Sequence, residues 1–228
     1  TEQIVAVVDE ALQRAGVDVE DLHGVAVTRG PGLVGALLVG ISWAKGLAFS
    51  RGLPLVGVNH IEGHIYANFL AHPDLEPPAV CLTVSGGHTV LLYMEAFGRY
   101  RVLGSTRDDA AGETLDKVAR VLGLPYPGGP EIDRLAREGD PTAVQLPRAM
   151  LGAGYDFSFS GLKTAALQWI EKARALEAQE GRPFPLADFA AGLQEAIVDV
   201  LVAKTMAAAE EYRVTTVLVA GGVAANSR

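Results

Sequence analysis

Cysteine is almost absent: Cys81 stands alone among 228 residues. No internal disulfide can form, which excludes a disulfide-stapled secreted scaffold and favours a reducing compartment. Aromatic residues are scarce at 7%, and 19 Lys and Arg face 27 Asp and Glu, a net charge of −8. That balance fits poorly with a broad basic face for nucleic acid. The deficit is uneven, with 4 basic and 9 acidic residues in 1–76 against 15 and 18 in 77–228. Long hydrophobic runs are missing too. The longest apolar stretch, Leu33 to Phe49, carries Lys45 and three glycines and falls short of a membrane span. Repeats and low-complexity runs are also absent. What is present is 49% hydrophobic and 20% charged, a globular composition that excludes disorder. At about 100–200 residues per domain, the length allows one large domain or two compact lobes.

Periodicity organises the chain. Ile4, Val5, Val8, Leu12 and Ala15 fall at helical spacing before Gly16. GVAVT (24–28) predicts a strand, 33–49 a buried helix, PLVGV (54–58) a strand and 60–70 a helix, an alternation that means parallel βα units. The stretch AHPDLEPP (71–78) breaks the pattern and is the expected boundary between lobes 1–76 and 77–228. Beyond it, 80–84 and 89–94 predict a hairpin closed by Ser-Gly-Gly-His, with 99–103 as a third strand. Helices are expected over 112–122, 130–138, 161–176 and 187–212, then a buried strand over 214–220.

Five groups of residues carry possible chemistry. His60 and His64 stand at i and i+4, about 40° apart on a helix, so both imidazoles can grip one metal ion. Glu62 is about 200° from His60, out of place for the general base of a zinc protease. Two ligands are also fewer than a catalytic metal generally takes, and a pair of capping histidines is the structural alternative. Second, Thr83-Val84-Ser85-Gly86-Gly87-His88-Thr89 sits at a hairpin tip. Paired glycines there suit either a backbone nest for phosphate or a plain tight turn. Third, AGGVAAN (220–226) ends a strand in paired glycines where a nucleotide can dock, with Asn226 offering donor and acceptor; a capped βα turn is the alternative. Fourth, Asp116, Glu131 and Asp133 flank the turn Tyr126-Pro127-Gly128-Gly129-Pro130 and suit ribose hydroxyls, or simply helix N-termini. Fifth, Ser160 reads as a helix N-cap, and Lys163 in the first turn of that helix wants an anion. Lys163 can join Arg134, Arg137, Arg148 and Lys172 in a local basic patch.

Taken in order, GPGLVGALLVG, NHIEGHIYA, SGGHT, DDAAGETLDK, YPGGPEID, FSFSGLKTA and AGGVAAN resemble the TsaD/Gcp family, the tRNA N6-adenosine threonylcarbamoyltransferases. The resemblance implies a two-lobed α/β fold of the actin/Hsp70/sugar-kinase-like (ASKHA) type with a nucleotide cleft between the lobes. It implies transfer of threonylcarbamoyl from threonylcarbamoyl-AMP to N6 of adenosine 37 in tRNAs reading ANN codons, forming t6A and releasing AMP in the cytoplasm. By the family motifs, His60 and His64 hold a divalent metal, Fe(2+) first and Zn(2+) or Mg(2+) otherwise. Thr83, Val84, Ser85, Gly86 and Gly87 would cradle the acyl-adenylate, and Asp116, Gly129, Asp133 and Asn226 its ribose and base. Thr83 stands where archaeal and eukaryotic relatives have a tyrosine, which fits the bacterial branch. Implied partners are tRNA, a catalytically silent paralogue (TsaB-like) as heterodimer and a small ATPase (TsaE-like), with no membrane. No DTSCD-like loop precedes Thr1, and the family's third metal ligand, an aspartate after AGGVAAN, is expected beyond Arg228. The 228 residues are therefore expected to be part of a longer enzyme. The alternatives are a metallo-endopeptidase of the O-sialoglycoprotein type, a non-catalytic scaffold paralogue, and a small-molecule kinase on the same fold.

Overall fold

The computed structural model describes residues 2–152 and 154–228 and divides into two compact units, 1–66 and 67–228. The first contains α1 (Glu2–Ala15), a 3-10 turn (Val19–Asp21), β1 (Val25–Gly30), α2 (Val34–Arg51), β2 (Leu55–Asn59) and the start of α3 (His60–Ala71). β1 and β2 pair in parallel, Val25 opposite Leu55 through Thr28 opposite Val58, with α2 as the crossover, as the alternation predicts. The helix is not buried as its apolar run predicts: on α2 only Ala44 and Ala48, one turn apart, are buried, while Val34, Leu38 and Phe49 are exposed, because the two-stranded sheet covers one narrow face. Gly52 ends the helix in the left-handed conformation at φ 64°, its amide donating back to Ala48 and Phe49.

The division falls within α3, ten residues before the expected 76/77 boundary. Phe69, in the last half of α3, packs edge-on against Phe97 in the turn between strands of the second unit, ring centroids 5.0 Å apart.

The second unit is a four-stranded sheet with helices α4 (Ala111–Leu122), α5 (Gly128–Ala136), α6 (Ser160–Glu180) and α7 (Leu186–Glu211). Its strands are β3 (Ala79–Val84), β4 (Thr89–Ala96), β5 (Arg99–Ser105) and β6 (Thr216–Ala220), in the order β5-β4-β3-β6. β3, β4 and β5 run antiparallel, and β6 joins β3 in parallel. Every residue of β3 is buried, as expected for a central strand covered on both faces. Val80, Leu82, Val84 and Leu91 on one face of the sheet share a core with Phe157, Phe159, Phe189, Leu193 and Ile197. The three phenylalanines are at most 1% exposed, each contributing about 1.5–3 kcal/mol of apolar burial.

Long-range bonds move two helix boundaries. α5 begins at Gly128 rather than Pro130 because Asp116 of α4 accepts the Gly128 amide at 2.7 Å. α6 begins at Ser160 because Asp108, fifty residues upstream, caps it. Asp108 accepts the Phe159 and Ser160 amides at 2.8 and 3.2 Å and the Ser160 hydroxyl at 2.7 Å. Ser160 is thus the first helical residue and a donor to the cap, rather than the N-cap itself. Among the described residues no helix is long and apolar enough to cross a membrane.

Candidate functional site

A cavity of about 580 Å³ opens in the second unit where the β3–β4 turn, α4, the start of α5 and the segment after β6 converge. Its wall brings together Gly86, Asp116, Gly129, Asp133 and Asn226, sequence-predicted residues scattered over 140 positions. Leu115, Tyr126, Arg134, Arg137, Gly222 and Val223 complete much of the lining. Thr83, Val84, Ser85 and Gly87 do not line it. Thr83 and Val84 are buried within β3, and Ser85 and Gly87 belong to the turn at its rim.

The β3–β4 turn is held from both sides. Ser85 donates its amide to the His88 carbonyl at 2.8 Å, and the Ser85 hydroxyl accepts the His88 amide at 3.1 Å. Gly112, in the first turn of α4, donates to the Ser85 carbonyl at 3.2 Å. A Cβ at Gly112 would lie 2.7 Å from that carbonyl oxygen and 2.8 Å from Gly86 Cα, so only glycine permits this approach. Gly86 and Gly87 differ: a Cβ on either meets nothing within 4 Å. Their bare backbone faces space that side chains would otherwise fill. Nearby, the Thr83 hydroxyl is buried without a hydrogen-bond partner, the condition of a polar atom that a further group would satisfy.

The opposite wall is set by the segment after β6. Gly221 has φ 100°, and a Cβ there would overlap the Val84 carbonyl, so the chain can cross the end of β3 only as glycine. A 3-10 turn (Gly222–Ala225) follows and delivers Asn226 and Ser227. Asp133, buried in α5, accepts the Ser227 amide at 2.9 Å and its hydroxyl at 2.7 Å on Oδ1, and Arg137 at 2.8 Å on Oδ2. Burial pushes the Asp133 carboxyl up, but the Ser227 hydroxyl and amide and the Arg137 guanidinium outweigh it and hold the group below its usual value. The Asn226 amide donates to Gln194 Oε1 at 2.7 Å. Gln194 and Ser227 are contributors that local pattern did not reveal, since their partners lie 32 and 94 positions away.

The expected basic patch is largely neutralised. Arg134 pairs with Glu131, Arg137 with Asp133, Arg148 with Asp199, and Lys163 with Asp109. The anion that Lys163 wants is therefore Asp109, which also takes Lys117 at 2.7 Å. Burial raises the Asp109 pKa, and the two ammonium groups outweigh it and hold the carboxyl low.

In the first unit, Asn59 accepts the Ile61 and Glu62 amides at 2.9 and 3.3 Å and so caps α3, placing His60 in its first turn. His60 Nε2 and His64 Nε2 stand 3.2 Å apart. With metal–nitrogen bonds of about 2.0–2.1 Å, that is the spacing of two ligands on one ion. The donor pair fits half of a metal site; among the described residues no group of three His, Cys, Asp or Glu gathers to complete one.

Comparison with known proteins extends this. The chain matches, over residues 1–228, the model of the family described as TsaD: tRNA N6-adenosine threonylcarbamoyltransferase. It is similar to the tRNA N6-adenosine threonylcarbamoyltransferase of Geobacillus thermodenitrificans, 61% identical over 226 residues, 99% of this chain and 64% of that protein. The protein of the same name from Moorella thermoacetica is 60% identical, over 99% of this chain and 65% of the relative. The chain thus spans a little under two thirds of the length of these relatives. Among solved structures, HypF of T. kodakarensis superposes with a TM-score of 0.63 at 18% identity, over 95% of this chain and 36% of that one. The (R)-2-hydroxyglutaryl-CoA dehydratase component A of Acidaminococcus fermentans gives 0.55 at 15% identity, over 96% and 68%. At such identities the likeness concerns fold alone, the ASKHA-type α/β class that the motifs implied. By the family match and by identity along nearly its whole length, the chain belongs to the TsaD family of tRNA N6-adenosine threonylcarbamoyltransferases.

Proposed function

We propose that this protein moves the threonylcarbamoyl group from threonylcarbamoyl-AMP to N6 of adenosine 37 in tRNAs reading ANN codons, forming t6A and releasing AMP. The observation that carries the reading is the cavity of about 580 Å³ with open glycine backbone and two ribose-competent carboxylates on its wall. Its size suits an adenylate, in the range of small-ligand pockets.

The donor is a mixed anhydride and already activated, so positioning is the main task. The amine of adenosine forms a bond to the carbamoyl carbon, the carbon–oxygen bond to phosphate breaks, and N6 gives up a proton. Backbone amides around Gly86 and Gly87 receive the phosphate as it leaves, with Thr83, Val84 and Ser85 shaping that turn from below. Asp116 spends one oxygen on the Gly128 amide and keeps the other for ribose. Asp133 uses three acceptor positions on Ser227 and Arg137, and a carboxylate offers about four, which leaves one for a ribose hydroxyl beside Gly129. Asn226 reads the base. His60 and His64 would hold a divalent metal, Fe(2+) ahead of Zn(2+) or Mg(2+), which supplies Lewis acidity toward donor oxygens.

With Arg134, Arg137, Arg148 and Lys163 ion-paired, little free positive charge remains beside the cavity for tRNA, so helper proteins supply basic surface. A groove lined by Ile4, Val5, Leu38, Val39, Ser42 and Trp43, with Val5 50% and Leu38 59% exposed, supports docking of a TsaB-like paralogue on α1 and α2. A TsaE-like ATPase and a cytoplasmic setting complete the proposal. The test is a t6A assay on tRNA with threonylcarbamoyl-AMP, together with elemental analysis. His60→Ala should lose metal and modification while keeping its far-UV dichroism. Full activity in a metal-free His60→Ala protein overturns the metal's part, and no t6A from the wild type overturns the whole.

A further inference from the structure

We infer that Gln194 is a positioning residue for the nucleotide cavity: together with the Arg228 amide it holds the Asn226 side-chain amide, so that Asn226 offers an N–H donor to the ligand. The inference rests on the proposal that an adenine nucleotide occupies this cavity.

Two bonds set the Asn226 side chain. The Arg228 amide lies 3.0 Å from Asn226 Oδ1, and a backbone N–H can only donate, so the atom facing it must be the oxygen. The nitrogen then faces Gln194 Oε1, 2.7 Å away. One hydrogen of Nδ2 is taken by Gln194 and the other remains. Asn226 lines the cavity, so what it presents there is a donor, suited to acceptor nitrogens such as those of adenine.

Gln194 is well placed to impose this. It is 6% exposed, in the middle of α7, between Leu193 and other residues of the buried core, and therefore on a rigid element. Asn226 by contrast follows a short 3-10 turn near a half-exposed segment. Its backbone amide donates to Val223 at 3.0 Å, and the one local bond on its side chain, from the Arg228 amide to Oδ1, leaves Nδ2 to be held by Gln194. Removing the Gln194 oxygen leaves the Asn226 side chain held at Oδ1 alone, and its Nδ2 donor loses its aim.

The test is calorimetric titration of the protein with AMP in a double-mutant cycle. Gln194→Met keeps size and removes the acceptor; it should weaken AMP binding about fivefold, the worth of one ordinary hydrogen bond. Gln194→Glu retains an acceptor oxygen and should bind within about twofold of wild type. In an Asn226→Ala background Gln194→Met should have no further effect, which a merely structural role would not produce. Thermal unfolding is followed for each variant, and Gln194→Ala replaces Gln194→Met if the latter fails to fold. If Asn226→Ala weakens AMP binding while Gln194→Met leaves it unchanged, or if the two effects simply add, the inference is overturned and the cavity reading survives. If wild type does not bind AMP, both fall; if Asn226→Ala binds it as well as wild type, the inference falls and AMP binding stands.

Discussion

Adjacent glycines at the end of β6 should fail in opposite ways. Gly221 sits at φ 100° and ψ 166°, a region open essentially to glycine alone, where any other residue costs about 1–3 kcal/mol. A methyl group there would also lie 2.7 Å from the Val84 carbonyl carbon. Val84 cannot withdraw easily, because β3 is bonded on both sides, to β4 and to β6. Overpacking of this kind costs about 1–3 kcal/mol more. Gly221→Ala should therefore destabilise the protein by about 2–6 kcal/mol, a large share of a total of about 5–15. Gly222 has nothing within 4 Å of its would-be Cβ and lines the cavity. Gly222→Ala should leave stability within about 0.5 kcal/mol and weaken AMP binding about tenfold by occupying ligand space. Urea titration measures the first quantity. The reporter is Trp169, packed against the core and stacked on Phe189 at 4.9 Å, with Trp43→Phe as background. Equal stability losses at the two positions, or a Gly221→Ala cost below about 1 kcal/mol, would refute the claim that the chain after β6 passes the end of β3 at glycine-only distance.

Three further outcomes follow from the same contacts. Asp108→Ala removes the cap of α6 and should cost about 1–2 kcal/mol in urea unfolding; a loss under half of that would mean the Asp108 contacts are incidental. Asp133 is held below its ordinary value of 3.8 by Ser227 and Arg137 in spite of burial, so its stabilisation is complete above that value and is lost as pH falls through the lower folded pKa. Asp133→Asn should accordingly flatten the decline of melting temperature below pH 3.8, and an unchanged slope contradicts the linkage. Phe189→Ala empties a fully buried position and should cost about 3–5 kcal/mol while shifting Trp169 emission; an unshifted spectrum would place Trp169 elsewhere.

Much of this was visible in the chain itself. Alternation and helical spacing place each strand and helix to within a few residues, because apolar periodicity is a local quantity that burial on one face imposes. The hairpin followed from Ser85-Gly86-Gly87-His88, and the parallel β1–β2 unit from a strand, a helix and a strand in succession. Boundaries were less legible where a distant group sets them. α5 starts two residues early on account of Asp116, and nothing near Gly128 announces that carboxylate's reach. The contact of Phe69 with Phe97, 28 positions on, was equally invisible, since each segment is unremarkable by composition.

The site shows the same division. Residue types in order were enough to indicate a family and to name Gly86, Asp116, Gly129, Asp133 and Asn226, since residue type and motif spacing are read along the chain. That these five share one cavity, that Asp133 already binds Ser227 and Arg137, and that Gln194 holds Asn226 came only with the tertiary structure. The scarcity of basic residues was likewise readable from composition. That the basic side chains nearest the cavity spend their charge on Glu131 and Asp133 was not. Charge is counted along a sequence, but ion pairs and ligand cradles depend on distances of a few ångströms between residues far apart in it, and only packing sets those.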